Sequence, residues 1–305
     1  MIRTLATLIL CTLASTGWAG APRVAADIPP VHALVARVMQ GAGTPDLIVS
    51  PGASAHGYSL RPSQAAAMSE AQLVIWVGEG LTPWLASPLN NLAGEARVID
   101  LLQVQGTVLR PFRTGAIFDE NHDDAEVADY SDPDAIDPHA WLDPQNASLW
   151  MTAIAQALSE LDPDNAPLYA ANARAGQDEL VQLRTAISDT IEPFRGKPFV
   201  VFHDAYHYFE ARFDVEAIGA LALSDASAPS PARLAEIRTR LQDYDSVCVF
   251  AEPQFNPGVI NSVVGDKPVR VSVLDPLGAE LEPGWPLYPS LLTQLAEAIA
   301  GCAQE

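Results

Sequence analysis

The sequence predicts an α/β protein of two (β/α) lobes joined by a single long helix, and three observations carry that prediction. Short apolar runs of strand length alternate with helix-period segments along the whole chain. The 305 residues exceed what one hydrophobic core usually supports. Near the middle, one amphipathic segment runs without a break from about Asp164 to Ile191.

The chain opens as a secretory signal, residues 1–19. Arg3 supplies the positive start, Leu5 to Leu13 a short apolar run, and Gly17-Trp18-Ala19 a small-x-small cleavage site. Cys11 follows Leu10 rather than a small residue and lies inside the apolar run, so no lipid anchor is expected. Cleavage after Ala19 removes it. No later apolar run is long enough to span a bilayer.

Residues 20–161 read as the first lobe, with strands at Asp46–Ser50, Leu73–Gly78 and Arg97–Leu101. Helices are expected at Pro30–Gly41, Pro62–Ser69 and Ala147–Leu161. Inside this lobe, residues 119–137 carry Glu120, Asp123, Asp124, Glu126, Asp129, Asp132 and Asp134 without a Lys or Arg. With no apolar period, that stretch predicts an acidic surface loop. Residues 162–193 form the linking helix, with Asp162 placed to cap it and Pro163 suited to its first turn. Leu180, Leu183, Ile187 and Ile191 recur at helical spacing, and Pro193 ends the segment. Such a helix is about 40 Å long. Residues 194–305 read as the second lobe, with strands at Phe199–Phe202, Val215–Ile218, Val247–Ala251 and Val269–Leu274. Cys248 and Cys302 remain after export, and an even pair in an oxidising compartment reads as a disulfide.

The formal net charge of −21 excludes nucleic acid and anionic membranes as partners and suits a cationic ligand. Candidate ligands for a cation recur at one kind of position. His56 follows a predicted strand in Ser50-Pro-Gly-Ala-Ser-Ala-His-Gly-Tyr, and His203 closes the strand Phe199-Val-Val-Phe. Asp275 ends another, and His139 lies in the turn-rich Asp137-Pro-His-Ala-Trp-Leu-Asp-Pro before a helix. Ligand sites of open α/β sheets form at the carboxyl ends of strands. Three imidazoles and one carboxylate suit tetrahedral zinc, whereas manganese draws more oxygen. His207, four residues after His203, reads either as a second arm of a helical clamp or as part of an aromatic face. His32 reads as a structural or surface residue, and His122 as a transient contact in the acidic loop.

Six blocks carry a resemblance to a known family. They are Pro51-Gly-Ala-Ser-Ala-His-Gly-Tyr-Ser-Leu-Arg-Pro-Ser63, Leu73-Val-Ile-Trp-Val-Gly78, His139-Ala-Trp-Leu-Asp-Pro144, Phe199-Val-Val-Phe-His-Asp-Ala-Tyr206, Cys248-Val-Phe-Ala-Glu-Pro-Gln-Phe255 and Leu274-Asp-Pro-Leu-Gly278. In this order, across the whole mature chain, they resemble the periplasmic high-affinity zinc-binding proteins of ABC importers, the ZnuA type of the metal-receptor family. The resemblance implies two α/β lobes on one rigid helix, with the metal in the cleft between them. It implies His56, His139 and His203 as zinc ligands, Asp275 as the group completing the site, and a Cys248–Cys302 disulfide. It further implies a monomer in the periplasm that hands Zn2+ to the membrane permease of a zinc ABC importer. Two features depart from the pattern. Ala55 stands where some zinc receptors have a glutamate, leaving Asp275 or water as fourth ligand. The loop before His139 is acidic rather than histidine-rich. His207 replaces a residue that is not usually a ligand, which favours His203.

Rival readings are a manganese receptor, a secreted zinc hydrolase with Glu252 or Asp204 as base, and an adhesion module using zinc as a structural clip. A hydrolase also needs a general base and a substrate pocket, and the sequence shows no oxyanion site or nucleophile elbow to accompany them.

Overall fold

Apolar residues on both faces suit a strand that is covered on both sides, and each half of the chain supplies one to the inside of its sheet. Leu73–Trp76 and Phe199–His203 are buried at every position. Around each, a parallel four-stranded sheet forms. The first contains β1 (Val24–Ala26), β2 (Asp46–Leu47), β3 (Leu73–Trp76) and β4 (Arg97–Asp100), in the order β2-β1-β3-β4. The second contains β5 (Phe199–His203), β6 (Gly219–Ala222), β7 (Cys248–Ala251) and β8 (Arg270–Val273), in the order β6-β5-β7-β8. The two lobes therefore share one topology. The computed structural model describes residues 20–113, 115–118, 136–224, 228–253, 258–264 and 269–302. The expected signal peptide, nearly all of the acidic loop and His122 lie outside the described residues.

Helices cover both sheets: α1 (Pro29–Val38), α2 (Pro62–Glu70), α3 (Ala86–Leu92), α4 (Pro144–Leu161), α5 (Ala166–Ile191), α6 (His207–Phe213), α7 (Pro231–Leu241), α8 (Gly258–Val264) and α9 (Leu287–Gly301). The connecting helix α5 has 26 residues, about 39 Å at 1.5 Å per residue. It starts later than expected, after a 3-10 turn over Pro163–Asn165. Asp162 does not cap its backbone. Its carboxylate accepts instead from the Asn165 side chain at 2.8 Å and the Tyr169 hydroxyl at 2.7 Å. Tyr169, Ala173, Gly176, Leu180, Ile187 and Ile191 form its buried face. A Cβ at Gly176 would lie 2.7 Å from Met151 Sδ, so glycine is what lets α4 and α5 pack this closely.

The lobes also meet directly. α1 of the first lobe packs on α5 and on α9 of the second, and one hydrophobic cluster runs through all three. Arg37 of α1 pairs with Glu179 of α5 at 2.9 Å and lies over the Trp285 ring. Trp285 donates to the same Glu179 at 2.7 Å. In the second lobe, Cys248 and Cys302 form a disulfide that ties the end of α9 to the start of β7.

Two strands differ from expectation. β1, only three residues long, was not foreseen. The strand expected at Val215–Ile218 forms at Gly219–Ala222, because α6 ends in a left-handed turn at Asp214 (φ 59°) and the chain straightens only afterwards. Gly219 then meets a segment from before α5. A Cβ there would lie 2.2 Å from Ala116 O. Phe118 N–H donates to Ile218 O, and Ala220 N–H to Ala116 O. Ala116 is buried with Val200, Phe202 and Leu221 of the second lobe. Residues around 116 thus pack on the second lobe although they precede the linking helix. Among the described residues, no helix is long and apolar enough to cross a membrane.

Candidate metal centre

His56 is carried by the loop between β2 and α2. That loop is pinned by a polar knot: Gln64 of α2 donates to Tyr58 OH at 2.7 Å and to Ser50 Oγ at 3.2 Å. Trp84 Nε1–H donates to the Ala55 carbonyl at 2.8 Å, which fixes the residue next to His56. His139 stands just before a 3-10 turn that leads into α4. Asp137, two residues earlier, turns back to accept from the His139 backbone N–H at 3.0 Å and from its ring Nδ1 at 2.7 Å. His203 is the last residue of β5. Glu252, just past the end of neighbouring β7, places its Oε1 2.6 Å from His203 Nδ1.

These two carboxylates decide how the rings present themselves. A carboxylate accepts, so each Nδ1 carries the proton, and each Nε2 is left as the acceptor that faces inward. His139 Nε2 lies 3.4 Å from His56 Nε2 and 3.4 Å from His203 Nε2. One ring nitrogen from each of the three histidines lies within 4.8 Å of the others. Zinc–nitrogen bonds of about 2.05 Å at tetrahedral angles hold ligand atoms about 3.3 Å apart. Lone pairs this close repel one another unless a cation lies between them. The space they enclose is about 10 Å³, room for one ion or water. Among the described residues, Ala55, Leu81, Trp141, Pro276 and Leu277 complete its wall, with no ionisable group besides the three histidines.

Behind the rings lies a buried ionic cluster. Arg113 donates to Asp204 and to Glu210, and it stacks on Phe118 at 3.8 Å. Asp204 and Glu210 are 2 % exposed. Burial pushes the Asp204 carboxyl up, and the Arg113 charge opposes this. Burial likewise pushes Asp137 up to about 7, against the pull of the His139 backbone N–H and of Arg113. A cation held by His139 favours the ionised form of Asp137 and so strengthens this hydrogen bond.

The structure brings His56, His139 and His203 together and leaves the other expected groups elsewhere. Asp275, expected as the completing ligand, is turned onto its own loop. Its oxygens accept the backbone N–H groups of Leu277, Gly278 and Ala279, and it is not part of the histidine cluster. His207 is no second arm of a clamp. His203 ends a strand and His207 begins α6, so the two are not one helical turn apart. His207 faces Arg110, and burial with the Arg113 and Arg110 charges pushes its pKa down to about 3. Of the two readings of His32, the structural one holds: it is buried, with Nε2 3.1 Å from the Pro45 carbonyl and a pKa lowered by burial. Asp137 and Glu252 were missed as histidine partners. A signal for each exists: Asp137 precedes His139 by two residues, and Glu252 ends a strand as His203 does.

Two parallel α/β lobes bridged by one long helix, with three imidazoles converging on a one-ion cavity between them, define a metal-binding solute receptor. The chain belongs to the ZnuA family: residues 24–302 match the model described as zinc-uptake complex component A, periplasmic. It is 40 % identical to the high-affinity zinc uptake system protein ZnuA of Paracoccus denitrificans, over 96 % of this chain and 95 % of the relative. With the protein of that name from Brucella abortus it shares 38 % identity, over 92 % of this chain and 91 % of the relative. Among solved structures it resembles a ZnuA deletion mutant with zinc bound, at TM-score 0.75 and 25 % identity, over 93 % of this chain and 99 % of the other.

Proposed function

We propose that the protein is a periplasmic receptor that binds one zinc ion through His56, His139 and His203 and delivers it to the membrane permease of an ABC importer. The observation that carries this reading is the pair of 3.4 Å separations between inward-facing Nε2 atoms, at the spacing tetrahedral zinc requires. Relatives named for high-affinity zinc uptake, aligned over nearly their whole length, support the same cargo and the same transport system. With Asp275 bonded to its own loop, solvent completes the tetrahedron. Three nitrogens inside apolar walls favour zinc over manganese, which needs more oxygen donors than the wall supplies.

The hydrolase reading is weakened by what its two proposed bases do. Glu252 holds His203, and Asp204 holds Arg113, so both carboxylates are bonded to other side chains. Titration of zinc into metal-stripped protein is the test. One zinc per chain is expected, with manganese failing to displace it and with binding abolished when all three histidines are replaced by alanine. Affinity falls as pH drops, because protonated imidazoles cannot ligate. A stoichiometry near zero would overturn the reading.

A further inference from the structure

Chain order assigns two of the three histidines to the first lobe, since His56 and His139 both precede the linking helix and His203 follows it. The hydrogen bonds add a second attachment: the His139 segment is bonded to α4, where Asn146 donates to Ala140 O at 3.1 Å, and it is also held from the second lobe. The segment from Asp137 to Asp143, which carries His139, is hooked to the second lobe at four places. Tyr208 of α6 donates to the Asp137 carbonyl at 2.8 Å, and its oxygen accepts from Arg110 N–H at 2.9 Å. Trp141 Nε1–H donates to Pro276 O at 2.8 Å, and Tyr288 of α9 donates to Trp141 O at 2.6 Å. Arg212 of α6 grips Asp143 with two bonds of 2.7 and 2.6 Å, and that carboxylate is 3 % exposed as a residue. Asp143 also caps α4 through Gln145 N–H, so the grip reaches the start of a first-lobe helix. These hooks account for Asp143 and for the indole N–H of Trp141, whose ring also walls the cavity.

We propose that the metal site divides one against two: His139 and His203 form a unit held by the second lobe, and His56 alone is presented by the first. On this view Arg212 and Tyr208 are positioning residues, which touch no metal but set the distance between the His139 and His203 ring nitrogens. Zinc is then released by withdrawal of the His56 side from a standing pair, and relative movement of the lobes does not separate His139 from His203.

This inference rests on the zinc-receptor reading, and a double-mutant cycle separates the two. Zinc affinity is measured by competition with a fluorescent chelator for the wild type, Arg212→Met, His56→Ala and the double variant, with thermal unfolding of each metal-free protein as the control for folding. Arg212→Met weakens zinc binding about tenfold, as loss of outer-sphere support does, and by the same factor in the His56→Ala background. Tyr208→Phe, which leaves the buried Asp143 paired, gives a smaller loss with the same persistence and carries the test if Arg212→Met is unfolded. A loss that vanishes once His56 is gone means the hooks act by aligning the lobes and overturns the proposal. Unchanged affinity in folded Arg212→Met and Tyr208→Phe overturns it as well. A wild type that takes up no zinc overturns the receptor reading itself, and this inference with it.

Discussion

Asp27 and His203 both lie at the carboxyl end of an inner strand, one in each lobe. In each sheet the chain leaves two neighbouring inner strands in opposite directions, β1 and β3 in the first lobe, β5 and β7 in the second. Crevices of this kind, at the carboxyl ends of strands, are where open α/β sheets bind ligands. In the first lobe the crevice is closed. Asp27 follows β1, is fully buried, and accepts the backbone N–H groups of Ile28 at 2.8 Å and Val77 at 2.7 Å. Burial pushes its carboxyl up to about 7. In the second lobe the same crevice holds the His203–Glu252 pair. One topology thus yields a structural staple in one lobe and a histidine of the cluster with its support in the other. With its crevice closed, the first lobe presents His56 from the loop after β2 instead.

Three substitutions test that comparison, taken from the largest effect downward. Cys302→Ser removes the tie on the second lobe and costs about 4 kcal/mol of stability on the chain-entropy model for a loop of this length, read by denaturant unfolding. Zinc affinity changes little, because Cys248 sits at the start of β7 and Glu252 lies past its end. A large loss of affinity in the folded variant would show that the site depends on that distant tie. Glu252→Gln weakens zinc binding about 10–100-fold with little change in stability, while Asp27→Asn leaves zinc binding unchanged. Equal effects on affinity would erase the distinction between the two crevices.

The smallest effect is a pH dependence. Burial lifts the folded Asp27 carboxyl from the ordinary 3.8 to about 7, so the folded state keeps a proton that the unfolded state has lost. Its contribution to stability is therefore present at low pH and is lost as pH rises from about 4 to about 7. Asparagine at this position does not titrate. Relative to Asp27→Asn, the wild type loses about 2 kcal/mol between pH 5 and pH 8. A difference that stays constant across that range would mean Asp27 is ionised throughout.

The strand-end rule alone located His56 and His203, and the turn before a helix located His139, because those positions depend on local pattern. The convergence of the three was carried by the family resemblance. What local pattern misled on was orientation. Asp275 ends a strand region as expected, yet its carboxylate is drawn to three backbone N–H groups of the following turn. Asp162 precedes a helix as a cap does, yet Asn165 and Tyr169 take its oxygens. β6 was placed on the apolar residues Val215 and Ile218, whereas Gly219 begins the strand because only glycine admits the Ala116 carbonyl beside it. Nothing in the order of residues foretells that Arg212 holds Asp143 or that Ala116 joins the second-lobe core. Those partners meet across 69 positions and more, through packing that no short-range pattern records.

X-ray absorption at the zinc edge, on protein loaded with one equivalent of metal, measures the coordination shell itself. Nitrogen neighbours at about 2.0–2.1 Å with the outer-ring scattering of three imidazoles, plus one light-atom neighbour, is the spectrum expected. A shell dominated by oxygen, or one unaltered in a variant lacking all three histidines, would contradict it.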